Sequence, residues 1–548
     1  MTEPGNQECE WRYMQNQGTQ SEVLNVMQKP LFFGSNCTSV DLIETHISYV
    51  FLANSVVYKI KKAVDFGFLD YSTLEKRKHY CNIEITLNRR LAPELYIGVV
   101  AICRDIKSGG VVLADAVNND FEVIEYAVKM HRFEQASILT LWMQTQLALV
   151  RETQFSLIGS RIAEFHLTTP KLEAQSKSVF GKEESVRFAV EQNFQQVLRL
   201  IFEDSDKKRL KCLLEWSEGE LKRHSSLFEQ RFVDGFVREC HGDLHTGNIA
   251  IIDDKPLLFD CIEFNDQFRC IDVMSEVAFL VMDLESMDAS KEAMDVLNAY
   301  LFKTGDYAGL QLLIFYKVYR AMVRAKVAIL RLAQEGVSAP DRLAALEAYR
   351  RYIDLAMSYI QTTVPGLIMT HGVSGTGKTT AARYLSRGWP GIHLRADVER
   401  KRMFGLKEFE SSKQRGLDIY TPLATTQTFE RLRDIVSLLL EERINVVLDS
   451  TFLHFSVRQR FFSLAEAKSG TVHIVSCQLN AETLRQRLML REEAKDDASE
   501  ANVFIMEQQL GEEEPLTKDE QRNAYFVDME DGAEALAAVL KAMRLRGR

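Results

Sequence analysis

Two short stretches of the 548-residue sequence combine residue types that bind phosphate and metal ions. The first, CHGDLHTGNI, covers residues 240–249, and the second, HGVSGTGKTT, covers residues 371–380. Glycine amides, a lysine, hydroxyls and carboxylates in such runs are the groups that surround phosphates and hold Mg²⁺ in proteins. Whether they converge depends on the strands and helices around each stretch.

The second stretch has the spacing G-x-x-x-x-G-K-[ST] of a P-loop. The preceding GLIMT predicts a buried strand, and the following TTAARYLSRG predicts a helix. In that context the backbone amides turn around the phosphates, Lys378 neutralises the β and γ oxygens, and the Thr379 hydroxyl ligates Mg²⁺. We expect ATP as the nucleotide, with GTP as the alternative, bound by a continuous run of residues: Gly372, Val373, Ser374, Gly375, Thr376, Gly377, Lys378, Thr379 and Thr380.

Three residues farther along are predicted to complete this site. Asp449 follows the apolar run in INVVLDSTF and is the expected second Mg²⁺ ligand. Asp397 follows a predicted strand in HLRADVERKRMFG and is the candidate to accept the proton of an attacking hydroxyl. Arg400, one helical turn on, is expected to hold an anionic or polar group of the substrate. The alternative is that Asp397 only caps a charged surface helix.

Arg487 and Arg491 lie four residues apart in a predicted helix that is followed by polar and acidic residues. Cations in this position are typical of a lid that neutralises the charge developing during phosphoryl transfer. An exposed helix with salt bridges would show the same pattern. We therefore predict catalytic roles for both arginines and keep the exposed helix as the alternative.

The first stretch places Asp243 and Asn248 in the D-x-x-x-x-N relation of kinase catalytic loops. Asp243 would orient or deprotonate an acceptor hydroxyl, and Asn248 would reach a Mg²⁺ ion. The strand in KPLLFDCIEFN ends at Asp260, which we expect to be the second metal ligand. A zinc site at His241 and His245 is a minor alternative, and a catalytically inactive, kinase-like part is another.

The N-terminal part is predicted to supply a lysine for the nucleotide phosphates. Residues 46–62 have the composition of a hairpin, and VVYK makes Lys59 the candidate, with Lys61 as its rival on the same strand face. A helix is predicted over residues 72–93 with Ser72 as its cap, and Glu84 on it is the expected partner of the lysine. The sequence ETHISYVFLANS contains no G-x-G-x-x-G loop.

Composition limits the class of protein. The formal net charge of -10 disfavours broad binding to nucleic acid or to an anionic membrane, which both reward a surplus of lysine and arginine. No apolar run reaches the roughly 18 to 20 residues that cross a bilayer, and MTEPGNQECEWRYMQNQ lacks the zones of a secretion signal. Nine scattered cysteines fit free thiols in a reducing compartment. We predict a cytoplasmic protein.

Changes of pattern along the chain predict four segments. Residues 1–29 form a loose tail, residues 30–340 a kinase-like domain, residues 341–362 a helical linker and residues 363–548 a P-loop domain. The expected fold class is an α+β, two-lobed, kinase-like domain followed by an α/β P-loop domain with a mainly parallel sheet.

Residues 365–515 resemble the P-loop small-molecule kinases, a group that includes gluconate, shikimate and polynucleotide kinases and the zeta-type toxins. The first stretch and FDCIEFN resemble aminoglycoside phosphotransferases and choline-type kinases. Over residues 30–515 the chain is similar to bacterial proteins described as bifunctional aminoglycoside phosphotransferase and ATP-binding proteins. The resemblance implies that Asp397 acts as base or substrate clamp, and that the acceptors are small molecules.

These observations together predict a Mg²⁺-dependent, ATP-using phosphotransferase with two nucleotide sites. Its acceptors would be small hydroxylated or phosphorylated molecules that the sequence does not identify. Two alternatives remain open: a nucleotide-gated regulator or scaffold with an inactive kinase-like half, and a zeta-type toxin kinase. The sequence leaves the oligomeric state open.

Overall fold

The computed structural model describes residues 20–114, 118–172, 180–201, 203–332, 338–494 and 497–546. Contacts divide the chain into two compact units. Unit 1 contains Met1–Val150, Thr168–Phe188 and Ser225–Phe279, and unit 2 contains Arg151–Leu167, Ala189–His224 and Leu280–Arg548. The first 19 residues of the predicted tail lie outside the described residues.

Unit 1 is built on a six-stranded antiparallel sheet with the order β1-β2-β3-β6-β4-β5. Two pairs of short strands, β7 with β10 and β8 with β9, lie outside this sheet. The strands of the unit are β1 (Val40–Glu44), β2 (Ser48–Ala53), β3 (Val56–Lys61), β4 (Tyr96–Asp105), β5 (Val111–Ala114), β6 (Phe121–His131), β7 (Val237–Glu239), β8 (Ile249–Ile252), β9 (Lys255–Leu258) and β10 (Cys270–Asp272).

The predicted hairpin over residues 46–62 is confirmed as β2 and β3, which pair in antiparallel register. Its turn contains Asn54 in the left-handed region (φ +51°), a conformation that asparagine tolerates better than most residues. The helix predicted after it is also present, but its N-cap is Thr73, whose side chain accepts from the Lys76 amide, and not Ser72. Ser72 instead bonds through its hydroxyl to Asp70.

The sheet of unit 1 is covered by two helices of this unit. The first, α1 (residues 20–27), places Val23 and Met27 in the same core as Phe51 and Ile102, so this part of the predicted loose tail is ordered. The second is α2 (Leu74–Asn88), which packs on β4 and β6. The other helices that lie wholly in unit 1 are α3 (Leu139–Thr145), α7 (Ser225–Asp234) and α8 (Asp266–Arg269).

Unit 2 contains a helical part and a parallel sheet. The helices before the sheet, some of which begin in unit 1, are α4 (Ala148–Thr168), α5 (Glu183–Leu198), α6 (Asp204–Arg223), α9 (Val273–Glu285), α10 (Ser290–Thr304), α11 (Leu313–Leu332) and α12 (Ala339–Tyr359). Short 3₁₀ helices occur in both units, at Pro30–Phe33, Gln135–Ser137, Thr246–Asn248 and Ala308–Leu312.

The sheet of unit 2 has five parallel strands in the order β12-β13-β11-β14-β15. Strand β11, the first of these strands along the chain, is buried along its whole length, as expected for a parallel sheet covered by helices on both faces. The strands are β11 (Gly366–His371), β12 (Ile392–Arg395), β13 (Val446–Asp449), β14 (Thr471–Gln478) and β15 (Ala524–Asp528). The helices are α13 (Lys378–Gly388), α14 (Ala396–Met403), α15 (Pro422–Glu441), α16 (Phe455–Ala467), α17 (Ala481–Ala494), α18 (Val503–Glu512), α19 (Lys518–Gln521) and α20 (Gly532–Arg546).

This topology confirms the predicted fold class, an α+β part followed by an α/β part with a parallel sheet. The predicted linker over residues 341–362 lies largely within α12. Unit 2 includes helices that precede residue 340 in the sequence and helices that follow it. The domain boundaries derived from the sequence stay predictions.

Arg77 forms a buried ion pair with Glu125 that joins α2 to β6. Its Nε lies 2.9 Å from Oε1 of Glu125, and Gln20 of α1 donates to the other carboxylate oxygen at 2.7 Å. Both charged side chains are almost fully buried. Removing one partner of such a pair leaves an uncompensated charge in the core.

We therefore expect Arg77→Met to lower the free energy of unfolding of unit 1 by about 3–5 kcal/mol. Urea denaturation followed by hydrogen exchange of β6 amides measures this change. Arg104→Met is the matched control, because Arg104 of β4 in the same sheet pairs with Glu22 and Glu122 and is partly exposed. The free energy of unfolding should fall by less than about 1 kcal/mol in this control. Equal losses for the two variants would contradict the prediction.

Candidate functional site

The loop after β7 brings Asp243 and Asn248 together. Nδ2 of Asn248 donates to the backbone oxygen of Asp243 at 2.9 Å and to its carboxylate at 3.2 Å. The Asp243 side chain is 39% exposed, while Asn248 is buried. The Asn248 side chain therefore orients the Asp243 carboxylate, which remains accessible to solvent.

Asp260 follows β9 and lies on a segment that is hydrogen-bonded to the same loop. The amide of Phe259, its neighbour, donates to the backbone oxygen of Asn248 at 2.9 Å. Asp260 itself has φ +64°, and its amide donates to the Tyr96 hydroxyl at 3.1 Å. Because β8 and β9 are paired, Asn248 and Asp260 project from adjacent ends of one hairpin. Their oxygen atoms suit Mg²⁺, which prefers carboxylate and amide oxygens.

Lys59, and not its rival Lys61, reaches the predicted metal carboxylate. Its Nζ lies 2.9 Å from Glu84 and 2.5 Å from Asp260. Burial by itself would lower the pKa of Lys59, but the carboxylates of Asp260 and Glu84 outweigh it and hold this pKa well above its ordinary value. The lysine is thus a permanent cation that links β3, α2 and the segment of Asp260.

Lys61 is fully buried beside the same glutamate. Its Nζ lies 2.6 Å from Glu84 and contacts Glu263, and the Tyr71 hydroxyl donates to Glu263. Burial raises the pKa of Glu84, yet Lys59 and Lys61 together lower it to about 2. Lys61 therefore supports the partner of Lys59 from the core side, a role that the strand pattern alone did not separate from phosphate binding.

The two histidines of the first stretch have loop roles. Nε2 of His241 lies 2.8 Å from the backbone oxygen of Phe259, and burial lowers the pKa of this imidazole. His245 accepts from the Gly247 amide at 3.1 Å, and its Nε2 lies 3.5 Å from Asp243. Both rings thus make contacts within the loop, and these contacts do not favour the zinc alternative.

We predict that Lys59→Ala weakens binding of Mg·ATP to unit 1 by at least about tenfold, because a charge-assisted contact is lost. Calorimetry in a Lys378→Ala background measures this site alone. The control is Lys62→Ala, since Lys62 pairs with the exposed Glu44. Unchanged affinity in the Lys59 variant would contradict the assignment.

The second stretch forms a turn between β11 and α13. Gly372, Gly375 and Gly377 have φ values of +127°, +91° and +90°, which only glycine adopts without strain. Nζ of Lys378 donates to the backbone oxygen of Val373 at 2.7 Å, so the side chain folds back across the loop. Burial lowers the pKa of Lys378. Strand β11, the glycine turn and helix α13 thus form the arrangement that the motif predicts.

Asp449 stands at the end of β13, directly beside the P-loop strand. Two residues of the edge strand β12 contact it, with His393 Nε2 at 3.3 Å and Arg395 Nε at 3.5 Å. Burial raises the pKa of Asp449, but these neighbours and the Thr379 hydroxyl lower it to about 2. A permanently ionised carboxylate next to a threonine hydroxyl fits the oxygen donor set of Mg²⁺.

A cavity of about 820 Å³ joins these groups to the predicted acceptor residues. Asp397, at the start of α14, is one of its lining residues, as is Arg400. The Arg400 guanidinium donates to the backbone oxygen of Ile419 at 3.0 Å and to the Thr425 hydroxyl at 3.1 Å, and it lies 4.9 Å from the Tyr420 ring. The nucleotide-binding and acceptor-binding groups predicted from the sequence therefore share one cavity.

Both predicted lid arginines also line this cavity. Arg491 donates to the Ala501 backbone and lies 3.8 Å from Asp497, which pairs with Arg395 at 2.7 Å. Arg487 donates to the Met529 backbone at 3.3 Å. The ion pairs connect Arg491 of α17 to the strand that contacts Asp449, whereas Arg487 is exposed.

Four residues at this site were missed from the sequence: Arg395, Asp497 and Gln509, which line the cavity, and His393, which contacts Asp449. His393 and Arg395 lie four and two positions before Asp397, so their alternation along a strand was the available signal. Gln509 of α18 accepts from the Ser374 amide at 2.8 Å. No local pattern marks a residue 135 positions away as its partner.

His371 ends β11, immediately before the glycine turn. Its Nδ1 lies 3.1 Å from the Ser476 hydroxyl, and burial lowers the pKa of the imidazole to about 4. The ordinary value is about 6.5, so the unfolded chain takes up a proton first as pH falls. The contribution of the neutral His371 imidazole to the free energy of unfolding is complete above about pH 6.5, and it is lost as the pH falls toward 4.

We expect the opening free energy of β11 to decrease between pH 7 and pH 5, and to decrease less in His371→Gln. Hydrogen exchange of the β11 amides, corrected for intrinsic rates, measures it. His454→Gln is the control, because that imidazole is 48% exposed and should leave the pH dependence unchanged. Identical pH dependence in all three proteins would be inconsistent with the His371 assignment.

Comparison with known proteins agrees with the prediction of a P-loop part. Residues 367–516 match a family model described as an AAA domain. The uncharacterized protein Rv2004c of Mycobacterium tuberculosis is 28% identical over 466 residues, which cover 84% of this chain and 88% of that protein. The matching protein Mb2027c of Mycobacterium bovis has the same identity and coverage.

Two solved structures resemble different parts of the chain. A choline/ethanolamine kinase family protein from Mesorhizobium loti covers 62% of this chain and 94% of its own, with 11% identity and a TM-score of 0.36. A gluconokinase from Sinorhizobium meliloti covers 34% and 100%, with 16% identity and a TM-score of 0.25. With TM-scores below 0.5, the fold assignment rests on the topology described above.

The second stretch lies between a strand and a helix, as the sequence predicts, and residues 367–516 match the AAA domain model. The first stretch lies in a loop between β7 and β8. The recognition predicted from the sequence is confirmed at the level of fold: an α+β part precedes a P-loop part with a parallel sheet. No helix among the described residues is both long enough and apolar enough to cross a membrane.

Proposed function

We propose that the chain is a Mg²⁺-dependent phosphotransferase with two nucleotide sites, which moves the γ-phosphate of ATP to small hydroxylated or phosphorylated acceptors. One observation carries the proposal: Lys378, Thr379 and Asp449 line the same cavity as Asp397 and Arg400. Phosphate-binding and acceptor-binding groups in one cavity are what direct transfer requires.

In the P-loop site the protein would act by positioning and by neutralising charge. Asp397 accepts the proton of the acceptor hydroxyl. The hydroxyl oxygen attacks the γ-phosphorus as the bond between that phosphorus and the β-phosphate oxygen breaks. Lys378, Arg487 and Arg491 neutralise the γ-phosphate oxygens. Mg²⁺, held by Thr379 and Asp449, would supply further charge neutralisation when bound.

In unit 1, Asp243 has the corresponding role toward the acceptor, and Asn248 with Asp260 would hold Mg²⁺. The contacts of Lys59 with Glu84 and Asp260 support an active site over an inactive, kinase-like part, because three elements contribute one charge each to an assembled ion cluster. GTP remains the alternative nucleotide for both sites.

The experiment is mass spectrometry of a metabolite extract incubated with the protein and labelled ATP. Lys378→Ala and Asp243→Asn, made separately, should each remove one set of phosphorylated products, with losses of at least about a hundredfold. Lys413→Ala and Asp253→Asn are matched controls, since both side chains are exposed. If both site variants retain full turnover, the proposal fails.

Two further measurements address the two alternatives. ATP bound in calorimetry without any phosphorylated product would support a nucleotide-gated regulator. Growth arrest on expression that Lys378→Ala abolishes would support a toxin kinase. Neither alternative requires unit 1 and the P-loop site to yield separate products, so two independently lost product sets favour the proposed function over both.

A further inference from the structure

Strand β12 carries His393 and Arg395, the two contacts of Asp449, and it is an edge strand of its sheet. Only β13 pairs with it, in parallel register from Ile392 to Arg395. The backbone groups on its other side therefore need partners from outside the sheet. Those partners come from α10, which precedes the P-loop by more than 60 residues.

Asn298 of α10 satisfies both kinds of backbone group on the free side of β12. Its side-chain oxygen accepts from the His393 amide at 2.8 Å, and its Nδ2 donates to the Gly391 backbone oxygen at 3.3 Å. One amide side chain thus pairs with two backbone groups at the beginning of β12. Since the His393 ring contacts Asp449, a short chain of contacts runs from α10 to the predicted metal carboxylate.

The end of α10 also holds α14, the helix of Asp397 and Arg400. The Arg402 guanidinium donates to the Phe302 backbone oxygen at 2.9 Å. Gly305, in the left-handed region (φ +65°), ends α10, and a Cβ atom there would lie 2.6 Å from this guanidinium. The left-handed φ favours glycine at this position, next to the Arg402 guanidinium.

Glu399 is the fully buried centre of this contact. Tyr307 donates its hydroxyl proton to Oε1 at 3.1 Å, Arg431 of α15 lies 2.9 Å from Oε2, and Arg402 completes the ion pairs. A buried carboxylate with three partners from three elements has one favourable position. Glu399 lies between Asp397 and Arg400 in sequence, so fixing it fixes the backbone of both candidate acceptor residues.

A further ion pair anchors the far end of the P-loop helix. Arg387 of α13 lies 2.7 Å from Asp295 of α10 and 2.6 Å from Glu152 of α4. Helices α4 and α10 approach closely here, since a Cβ atom on Gly159 would lie 2.3 Å from the Val296 backbone oxygen. The contacts of α10 therefore reach three elements of the P-loop site: α13, β12 and α14.

We infer that α10 and the turn after it are part of the P-loop site, and that Asn298, Tyr307 and Glu399 are positioning residues that hold Asp449, Asp397 and Arg400 in place. This inference rests on the proposed function for the catalytic meaning of those three groups. It adds that residues far before the P-loop, outside the matched range 367–516, determine the geometry of its acceptor side.

The test uses the full chain with Asn298→Ala and Tyr307→Phe, each of which removes hydrogen bonds without adding a charge. Hydrogen exchange is followed over residues 392–403 and over β11, with and without Mg²⁺ and a non-hydrolysable ATP analogue. Losing hydrogen bonds to buried partners should speed exchange over residues 392–403 by about tenfold, while β11 exchanges as before. Lys291→Ala, exposed on α10, and Tyr319→Phe, on α11, are the controls.

Nucleotide affinity and turnover separate positioning from a merely structural role. The dissociation constant of the ATP analogue should change by less than about threefold, because the glycine turn lies on other elements, while turnover falls about tenfold or more. Exchange over residues 392–403 equal to that of the unsubstituted chain would overturn the inference. So would faster exchange spread equally over β11, which would indicate general loss of structure.

The exchange measurement is independent of catalysis. If the unsubstituted chain forms no phosphorylated product, the proposed function fails, and exchange over residues 392–403 still decides whether α10 holds β12 and α14. If product forms and exchange does not respond, the inference alone fails.

Discussion

The two sites depend on one constraint: a charge removed from water must be balanced within a few ångströms by opposite charge or hydrogen bonds. In unit 1, Glu84 is fully buried and contacts two lysines on alternate positions of β3. In unit 2, Glu399 is fully buried and contacts Arg402, Arg431 and Tyr307. Each carboxylate therefore joins several elements, and the groups predicted to do chemistry lie next to it.

The same constraint explains why the candidate catalytic carboxylates differ from the buried ones. Asp243 and Asp260 are 39% and 46% exposed, so water reaches them and a metal ion or acceptor has access. Glu84 and Glu399 have no such access. In unit 1 the exposed carboxylates are available for chemistry, and the buried Glu84 determines where Asp260 lies. In unit 2, Asp449 is buried and yet lines the cavity.

Much of both sites was predictable because local patterns encode it. The glycine positions of the P-loop follow from the positive φ values that a phosphate-binding turn needs, and Asp449 follows from the rule that polar groups at carboxyl ends of parallel strands meet. The pair Asp243 and Asn248 follows from its spacing, and the hairpin of Lys59 from alternation. Each of these signals is carried by a few neighbouring residues.

The rest depends on contacts between distant parts of the chain. The choice between Lys59 and Lys61 could not be made on the strand, since both side chains lie on one face and only the position of Asp260 separates them. The cap at Thr73 in place of Ser72 depends on Asp70 engaging the serine. Asn298 and Gln509 act on backbone groups 95 and 135 positions away, respectively, and an isolated asparagine or glutamine carries no sequence signal for such a partner.

Asn298 has a consequence for solubility. An unpaired edge strand offers a row of amides and carbonyls to which strands of other molecules can add, and this is a common start of aggregation. A fragment that begins at residue 363 would lose α10 and present the free side of β12 in this way. For expression, the P-loop part therefore requires a fragment that starts before Ser290, or the whole chain.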